Sequence, residues 1–286
     1  MSISVAHLGP AGTNAETAAL AYVKWLSQSG IECHLCSYST IAQAIEASAT
    51  GQAMLAVVPV ENSIEGSVTV TLDSLWRLDG LQIKHGLVLP IAHALVSYAE
   101  NLTEITKVYS HPQALAQCQK WLQTFTPAAF LIPTNSTTEA LEYLKDPSVA
   151  AISSVRAAEL YKLPVFNNLI NDYVDNFTRF WVIGKENLPF KMPDCSFTYS
   201  HTSLAFSVPK NVPGTLVKPL QIFADRGINL TRIESRPKKR TLGEYVFFMD
   251  LECNIKDDLV QTAIEELAIH TENLKLFGSY TIATLS

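Results

Sequence analysis

Apolar positions along the first two-thirds of the chain switch between two periods. Ile3–Leu8 alternates as a strand does, and Gly9-Pro10-Ala11-Gly12 turns it into a stretch of helical spacing. There Ala15, Ala19, Tyr22, Val23 and Leu26 share one face, and Gly30 ends the run. Ile31–Tyr38 reads as a second strand, and Thr40 with Gln43 forms a capping box for a helix that stops near Gly51. Met54–Val60 is apolar throughout, which predicts a strand buried on both faces. The grammar repeats. Lys107–Tyr109 precedes a second box, Ser110 with Gln113, in which Pro112 suits a first helical turn. Phe130–Ile132 precedes a third, Ser136 with Glu139, and Val149–Ile152 and Arg179–Gly184 are further short strands. Such alternation predicts an α/β region with a largely parallel sheet, its ligands off the carboxyl ends of the strands.

The pattern then changes. Lys185–Thr202 holds Pro189 and Pro193 and no period, which marks a linker at 186–201. Beyond it Ser203–Val208 alternates as a strand and Pro213–Ala224 is helical. Ile228–Ile233 and Tyr245–Leu251 are strands joined by a basic turn, Asp257–His270 is a helix and Leu276–Ala283 a last strand. The order βαββαβ is the ferredoxin-like arrangement. Two regions, 1–185 and 202–286, are therefore expected, in keeping with 286 residues at roughly 150 per domain.

Composition narrows the function classes. With 48% apolar and 17% charged residues the chain has material for buried cores. A net charge of −6 argues against a general nucleic-acid binder, which needs surplus Lys and Arg. Five cysteines in a chain of this length do not make a disulfide framework, and a reducing, cytoplasmic setting is expected. The longest apolar stretch, near Leu87–Val96, contains Pro90 and His93 and falls far short of a span of about 20 residues. No Lys or Arg precedes Lys24, so neither a signal nor a transit peptide is expected. Cys33-His34-Leu35-Cys36 lies inside a predicted strand, where residues three apart face opposite ways, and no second pair completes a metal site.

Four loops carry candidate chemistry. Gly9-Pro10-Ala11-Gly12-Thr13 joins strand to helix, so its N–H groups can face an anion; a plain tight turn explains it equally well. Pro59–Gly66 follows the buried strand and sets Glu61 and Asn62 at its carboxyl end, while Glu65 reads as turn chemistry and a serine as a cap. Ser110-His111-Pro112-Gln113 has the same placement, and Gln117 lies one turn on. Asn176–Trp181 puts the Thr178 hydroxyl beside the Arg179 cation. That pair can hold a carboxylate and supply a proton, or Arg179 can brace two subdomains with Phe180 and Trp181 as core.

Taken together, Gly9–Thr13, Pro59–Gly66 running into Thr71-Leu72-Asp73, Ser110–Cys118, Thr178-Arg179-Phe180 and Glu234-Ser235-Arg236-Pro237 resemble the prephenate dehydratase family, in family order along nearly the whole chain. The resemblance implies a bilobed α/β catalytic domain like a type 2 periplasmic binding protein, then a ferredoxin-like ACT domain that binds phenylalanine. It implies a cofactor-free and metal-free conversion of prephenate to phenylpyruvate, with Thr178, Arg179 and Glu61 catalytic. Thr13, Asn62, Ser63, Ser110, Gln117 and Phe180 would bind substrate. Gly214, Thr215, Leu216, Asn229, Leu230, Glu234, Ser235, Arg236 and Pro237 would form the effector pocket, with Ile233 in its wall, and the ACT sheets would join copies into a homodimer or dimer of dimers. Asn14 and Thr215 depart from the family pattern, and Pro219 falls within the expected ACT helix. No chorismate mutase segment precedes residue 1, which suggests the monofunctional form. Arogenate as substrate, or a sensor without catalysis, are the rival readings.

Overall fold

The structure, a computed structural model, describes residues 2–190, 200–238 and 243–285, so the expected linker and basic turn lie largely outside the described residues. The first lobe runs β1 (Ile3–Leu8), α1 (Asn14–Gln28), β2 (Cys33–Tyr38), α2 (Ile41–Thr50), β3 (Leu55–Asn62), β4 (Gly66–Ser67), α3 (Thr69–Arg77) and β5 (Leu81–Pro90). The second holds β6 (Ala94–Ser97), β7 (Lys107–Ser110), α4 (Pro112–Gln117), α5 (Gln119–Phe125), β8 (Phe130–Pro133), β9 (Val149–Ser153), α6 (Val155–Leu160) and β10 (Val165–Asn167). The chain returns to the first lobe through β11 (Phe177–Lys185). Then follow β12 (Ser200–Ser207), α7 (Val217–Ala224), β13 (Leu230–Pro237), β14 (Tyr245–Leu251), α8 (Asp258–Ile269) and β15 (Asn273–Thr284).

Local signals explain several boundaries. Thr13 caps α1 through Glu16 N–H, and Gly30 at φ +80° closes it with N–H bonds back onto the last turn. Thr40 caps α2 through Gln43 N–H, and Gly51 ends it in the left-handed region. The second expected box is corrected: His111, not Ser110, is the N-cap, its Nδ1 accepting from Gln113 N–H, while the Ser110 hydroxyl donates to Ile152 O at 2.7 Å. Ser136 does cap Glu139 N–H, but opens only a short 3-10 turn.

The parallel strands β2-β1-β3 continue through antiparallel β11 to β5, and the smaller sheet runs β10-β6-β9-β7-β8. Each lobe thus combines parallel strands with an antiparallel return, and two crossings, after β5 and before β11, join them. This is a bilobed α/β arrangement. The C-terminal strands take the ferredoxin-like order β13-β14-β12-β15. They form no separate sheet: β15 pairs in parallel with β5, from Thr281 opposite His85 to Thr284 opposite Val88. One ten-stranded sheet therefore spans the first lobe and the C-terminal region. Their cores merge too, since Val58, Trp181 and Ile183 pack in one cluster with Ala205, Phe248, Phe277 and Tyr280.

Candidate active site

Strands β3 and β11 carry the candidate chemistry at adjoining ends. Their register sets Thr178 opposite Asn62 and Arg179 opposite Glu61. Because successive strand residues face opposite ways, these are two pairs on two faces. Buried Asn62 and half-buried Thr178 form a hub. Asn62 Nδ2 donates to Thr178 Oγ1 at 3.0 Å, Asn176 Oδ1 at 2.9 Å and Phe177 O at 3.1 Å. Its Oδ1 accepts from the N–H groups of Ile64 and Glu65, which shapes the 63–66 turn. Thr178 Oγ1 is thus an acceptor for Asn62, and its own proton is left for another acceptor.

The network crosses both lobes. Asn176 Nδ2 donates to Gln117 Oε1 at 2.8 Å, and the same oxygen takes His93 Nε2 at 2.9 Å. Burial pushes the His93 pKa down, with the Gln117 hydrogen bond opposing, so the ring is neutral and donates from Nε2. Asn171 Oδ1 fixes the His93 backbone N–H at 2.7 Å. Gln117 Nε2, Thr138 Oγ1 and Ser153 Oγ are buried with no protein partner. Unpaired buried donors are costly; all three lie in the second lobe, and Gln117 adjoins the hub through Asn176. His93, Thr138 and Ser153 carry no signal in the sequence, being lone polar residues with no motif spacing, and Asn176 is seen there only as the start of the Thr178 loop.

Several expected site residues serve structure instead. The Thr13 hydroxyl donates towards Leu8 O and Pro10 O and accepts from Glu16 N–H, so it caps α1. In the same turn Gly12, at φ +88°, donates its N–H to Glu16 Oε2, and Arg156 of the second lobe pairs with that carboxylate at 2.8 Å. The glycine-rich turn therefore latches the lobes at this point. A Cβ on Gly12 would meet Ala157 Cβ at 3.1 Å. Ser63 ties the start of β11, its Oγ accepting from Phe177 N–H and donating to Asp175 O. Phe180 is corrected outright: it is 1% exposed in the core with Val5, Val57 and Tyr22, out of reach of substrate. Glu61 and Arg179, expected in the cleft, point to the reverse face, where Arg179 lies 3.5 Å from Glu61 and 3.4 Å from Asp250.

Cys33 and Cys36 sit on β2, the edge strand, opposite Ile3 and Ala6, and burial followed by Glu32 pushes the Cys33 pKa up. Among the described residues no cluster of three or more His, Cys, Asp or Glu side chains is arranged to hold a metal ion.

In the C-terminal region α7 starts at Val217 rather than Pro213, because Gly214 at φ +85° and the Val212–Thr215 turn precede it. Pro219 accordingly falls in the first helical turn, where its missing N–H needs no partner. Thr215 Oγ1 donates to Lys210 O, and Leu216 and Leu230 pack on the helical core. Asn229 Nδ2 donates to Glu252 Oε2, leaving its carbonyl oxygen to accept. Along β13 alternation divides the expected pocket: Ile233, Ser235 and Pro237 are exposed, whereas Glu234 takes Ser67 Oγ at 3.1 Å and Arg236 pairs with Asp73 in bidentate fashion. Glu234 and Arg236 thus contact the first lobe.

Comparison with known proteins matches this arrangement. Residues 5–188 fit the profile of the family described as prephenate dehydratase, and residues 202–269 that of the ACT domain. The bifunctional chorismate mutase/prephenate dehydratase of Aquifex aeolicus is 41% identical over 284 residues, covering 99% of this chain and 75% of that protein. The prephenate dehydratase of Lactococcus lactis subsp. cremoris is 38% identical over 287 residues, 99% of each. A crystal structure of prephenate dehydratase from Arthrobacter aurescens in complex with L-Phe has a TM-score of 0.84 at 32% identity, covering 98% of this chain and 90% of that one. Matches of this extent, over both the lobes that hold the Asn62–Thr178 hub and the ferredoxin-like region behind them, show that the chain belongs to the prephenate dehydratase family and carries an ACT domain.

Proposed function

We propose that this chain converts prephenate to phenylpyruvate, carbon dioxide and water under feedback control by phenylalanine. The observation that carries the chemical reading is the Asn62–Thr178 hydrogen bond, which makes the threonine oxygen an acceptor and leaves its proton available to a substrate. In the reaction the electrons of the breaking C–CO2 bond enter the ring, the hydroxyl on the opposite ring carbon departs, and the ring becomes aromatic. The product side is downhill, so the protein needs only to orient the dicarboxylate and ease departure of hydroxide. Thr178 Oγ–H donates to the departing oxygen, while Asn62, replacing no proton of its own, holds the threonine oxygen. An alcohol is a weak acid, so this is hydrogen-bond assistance: Thr178 keeps its proton, and the departing hydroxide takes from solvent the proton that makes it water. Gln117, with a free Nε2, supports substrate binding from the second lobe, and Ser63 and Ser110 shape the walls.

Phenylalanine is read by the ACT domain, with the Gly214–Leu216 turn supplying N–H groups to its carboxylate and the Asn229 carbonyl accepting from its ammonium. Leu216, Leu230 and Ile233 support the ring. The edge of β13 is unpaired in the sheet order, and its exposed residues support pairing of ACT domains into a homodimer or dimer of dimers. Among the described residues no helix is long and apolar enough to cross a membrane, and a biosynthetic role fits the cytoplasm. Phenylpyruvate formation from prephenate, assayed beside phenylalanine formation from arogenate, tests the reading. Turnover of prephenate is expected; turnover of arogenate alone, or of neither, defeats it.

A further inference from the structure

Directly behind the cleft pair is a charged cluster shared between the first lobe and the ACT domain. Asp250, on β14, is 1% exposed. Its Oδ2 takes Arg232 Nε at 2.8 Å and Arg179 Nη1 at 3.4 Å, and its Oδ1 takes Ser203 Oγ at 2.6 Å. Tyr280 OH lies 2.8 Å from that serine oxygen and accepts from Trp181 Nε1 at 3.1 Å. The other side of the Arg179 guanidinium faces Glu61 at 3.5 Å. Arg179 is therefore suspended between a carboxylate of its own lobe and one of the ACT domain.

The chain geometry gives this cluster leverage. Arg179 follows Thr178 directly, and Glu61 precedes Asn62. Fixing Arg179 against Glu61 from behind fixes the strand register that holds Thr178 opposite Asn62. Asp250 also lies opposite Arg232 in the β13–β14 ladder, and two residues on Glu252 accepts from Asn229. The same short ladder thus touches the effector pocket at one end and Arg179 at the other. A ligand can shift the site only through contacts that differ between its bound and free states, and this ladder provides such a contact.

Building on the function proposed above, we infer that Asp250 is a positioning residue: acting through Arg179, it sets the geometry of the Asn62–Thr178 pair and carries the effect of phenylalanine to it. The test uses the full-length chain with prephenate as substrate and L-phenylalanine as inhibitor. Asp250→Asn is expected to lower kcat by about 10- to 100-fold, the range for misplacing a reacting group, with KM within about twofold. Its half-inhibitory phenylalanine concentration should rise by about fivefold or more. In combination with Arg179→Gln the two losses should not multiply, because both act through one contact. Ser203→Ala keeps the charge and should move kcat and inhibition in the same direction, by about two- to threefold. Wild-type kcat and inhibition in Asp250→Asn, or losses that multiply in the double variant, overturn the inference. Should Asp250→Asn fail to fold, Ser203→Ala decides, and an unchanged inhibition curve overturns it. A wild-type chain inert on prephenate would instead count against the function, not against this contact.

Discussion

Thr178 Oγ1 accepts a hydrogen bond from Asn62 Nδ2 at 3.0 Å, directly across the β3–β11 ladder. The donor's identity matters. An amide nitrogen beside the hydroxyl oxygen leaves the threonine only one use for its proton, outward, and the same amide is held by Asn176, Phe177 and the 63–66 turn. The hub thus orients a weak acid without competing for its proton.

Asn62→Asp tests that polarity with almost no change of shape. A carboxylate cannot donate to Thr178 Oγ1, Asn176 Oδ1 or Phe177 O, and it turns the threonine proton inward onto itself. A fall in kcat of about 10²-fold or more is expected. A destabilisation of about 1–3 kcal/mol should accompany it, from acceptors left without donors. Steady-state kinetics and urea melts measure both, and an unchanged kcat would show that the direction of this bond is irrelevant.

Control by phenylalanine should be separable from turnover at Asn229 and Gly214. Asn229→Ala removes the proposed acceptor for the ammonium and only an exposed bond to Glu252. Gly214→Val forces a β-branched residue into φ +85°, although no atom lies within 4 Å of the added Cβ. Each should raise the half-inhibitory phenylalanine concentration about tenfold or more, the usual reach of a lost charged hydrogen bond, with uninhibited kcat near wild type. Normal inhibition in both, in protein of normal melting temperature, would put the effector elsewhere.

How much of this was legible in the sequence depends on the range of the interaction. β1, α1, α2 and β3 are read from period and caps, because burial on both faces and Thr40 or Gly30 write local signals. β5 is not legible: Leu87–Val96 reads as one apolar stretch, and only packing shows Pro90 ending one strand before β6 begins. α3 begins at Thr69, and its N-cap, Val68, offers no side-chain cap. Glu61 and Asn62 are adjacent, so the sequence alone puts both at the cleft, yet alternation sends them to opposite faces. That division needs the partner strand β11, more than a hundred residues away. The pairing of β15 with β5, which makes one sheet of two regions, leaves no local trace at all.

Acid stability should report on His85, buried where β5 meets β15, its Nδ1 bonded to Tyr22 OH at 2.8 Å. Burial, and then the nearby Lys84, lower its pKa to about 4 from 6.5. The unfolded chain therefore binds this proton first. The stability of the neutral form is fully present above pH 6.5 and is lost as pH falls towards 4, by about 2 kcal/mol at pH 5. His85→Gln, which does not titrate, should lack this component, so urea melts at pH 7 and pH 5 should converge on those of wild type as the pH drops. Parallel losses in the two proteins would refute it.

The central claim rests on one hydroxyl, and kcat and KM for prephenate in wild type and Thr178→Val, measured side by side, test it most directly. Valine keeps the shape of threonine and removes only the donor. The account predicts a fall in kcat of about 10²-fold or more, the scale of general-acid assistance, with KM changed far less because the bond to the departing oxygen strengthens in the transition state. A folded Thr178→Val protein that turns prephenate over at close to the wild-type rate would contradict it.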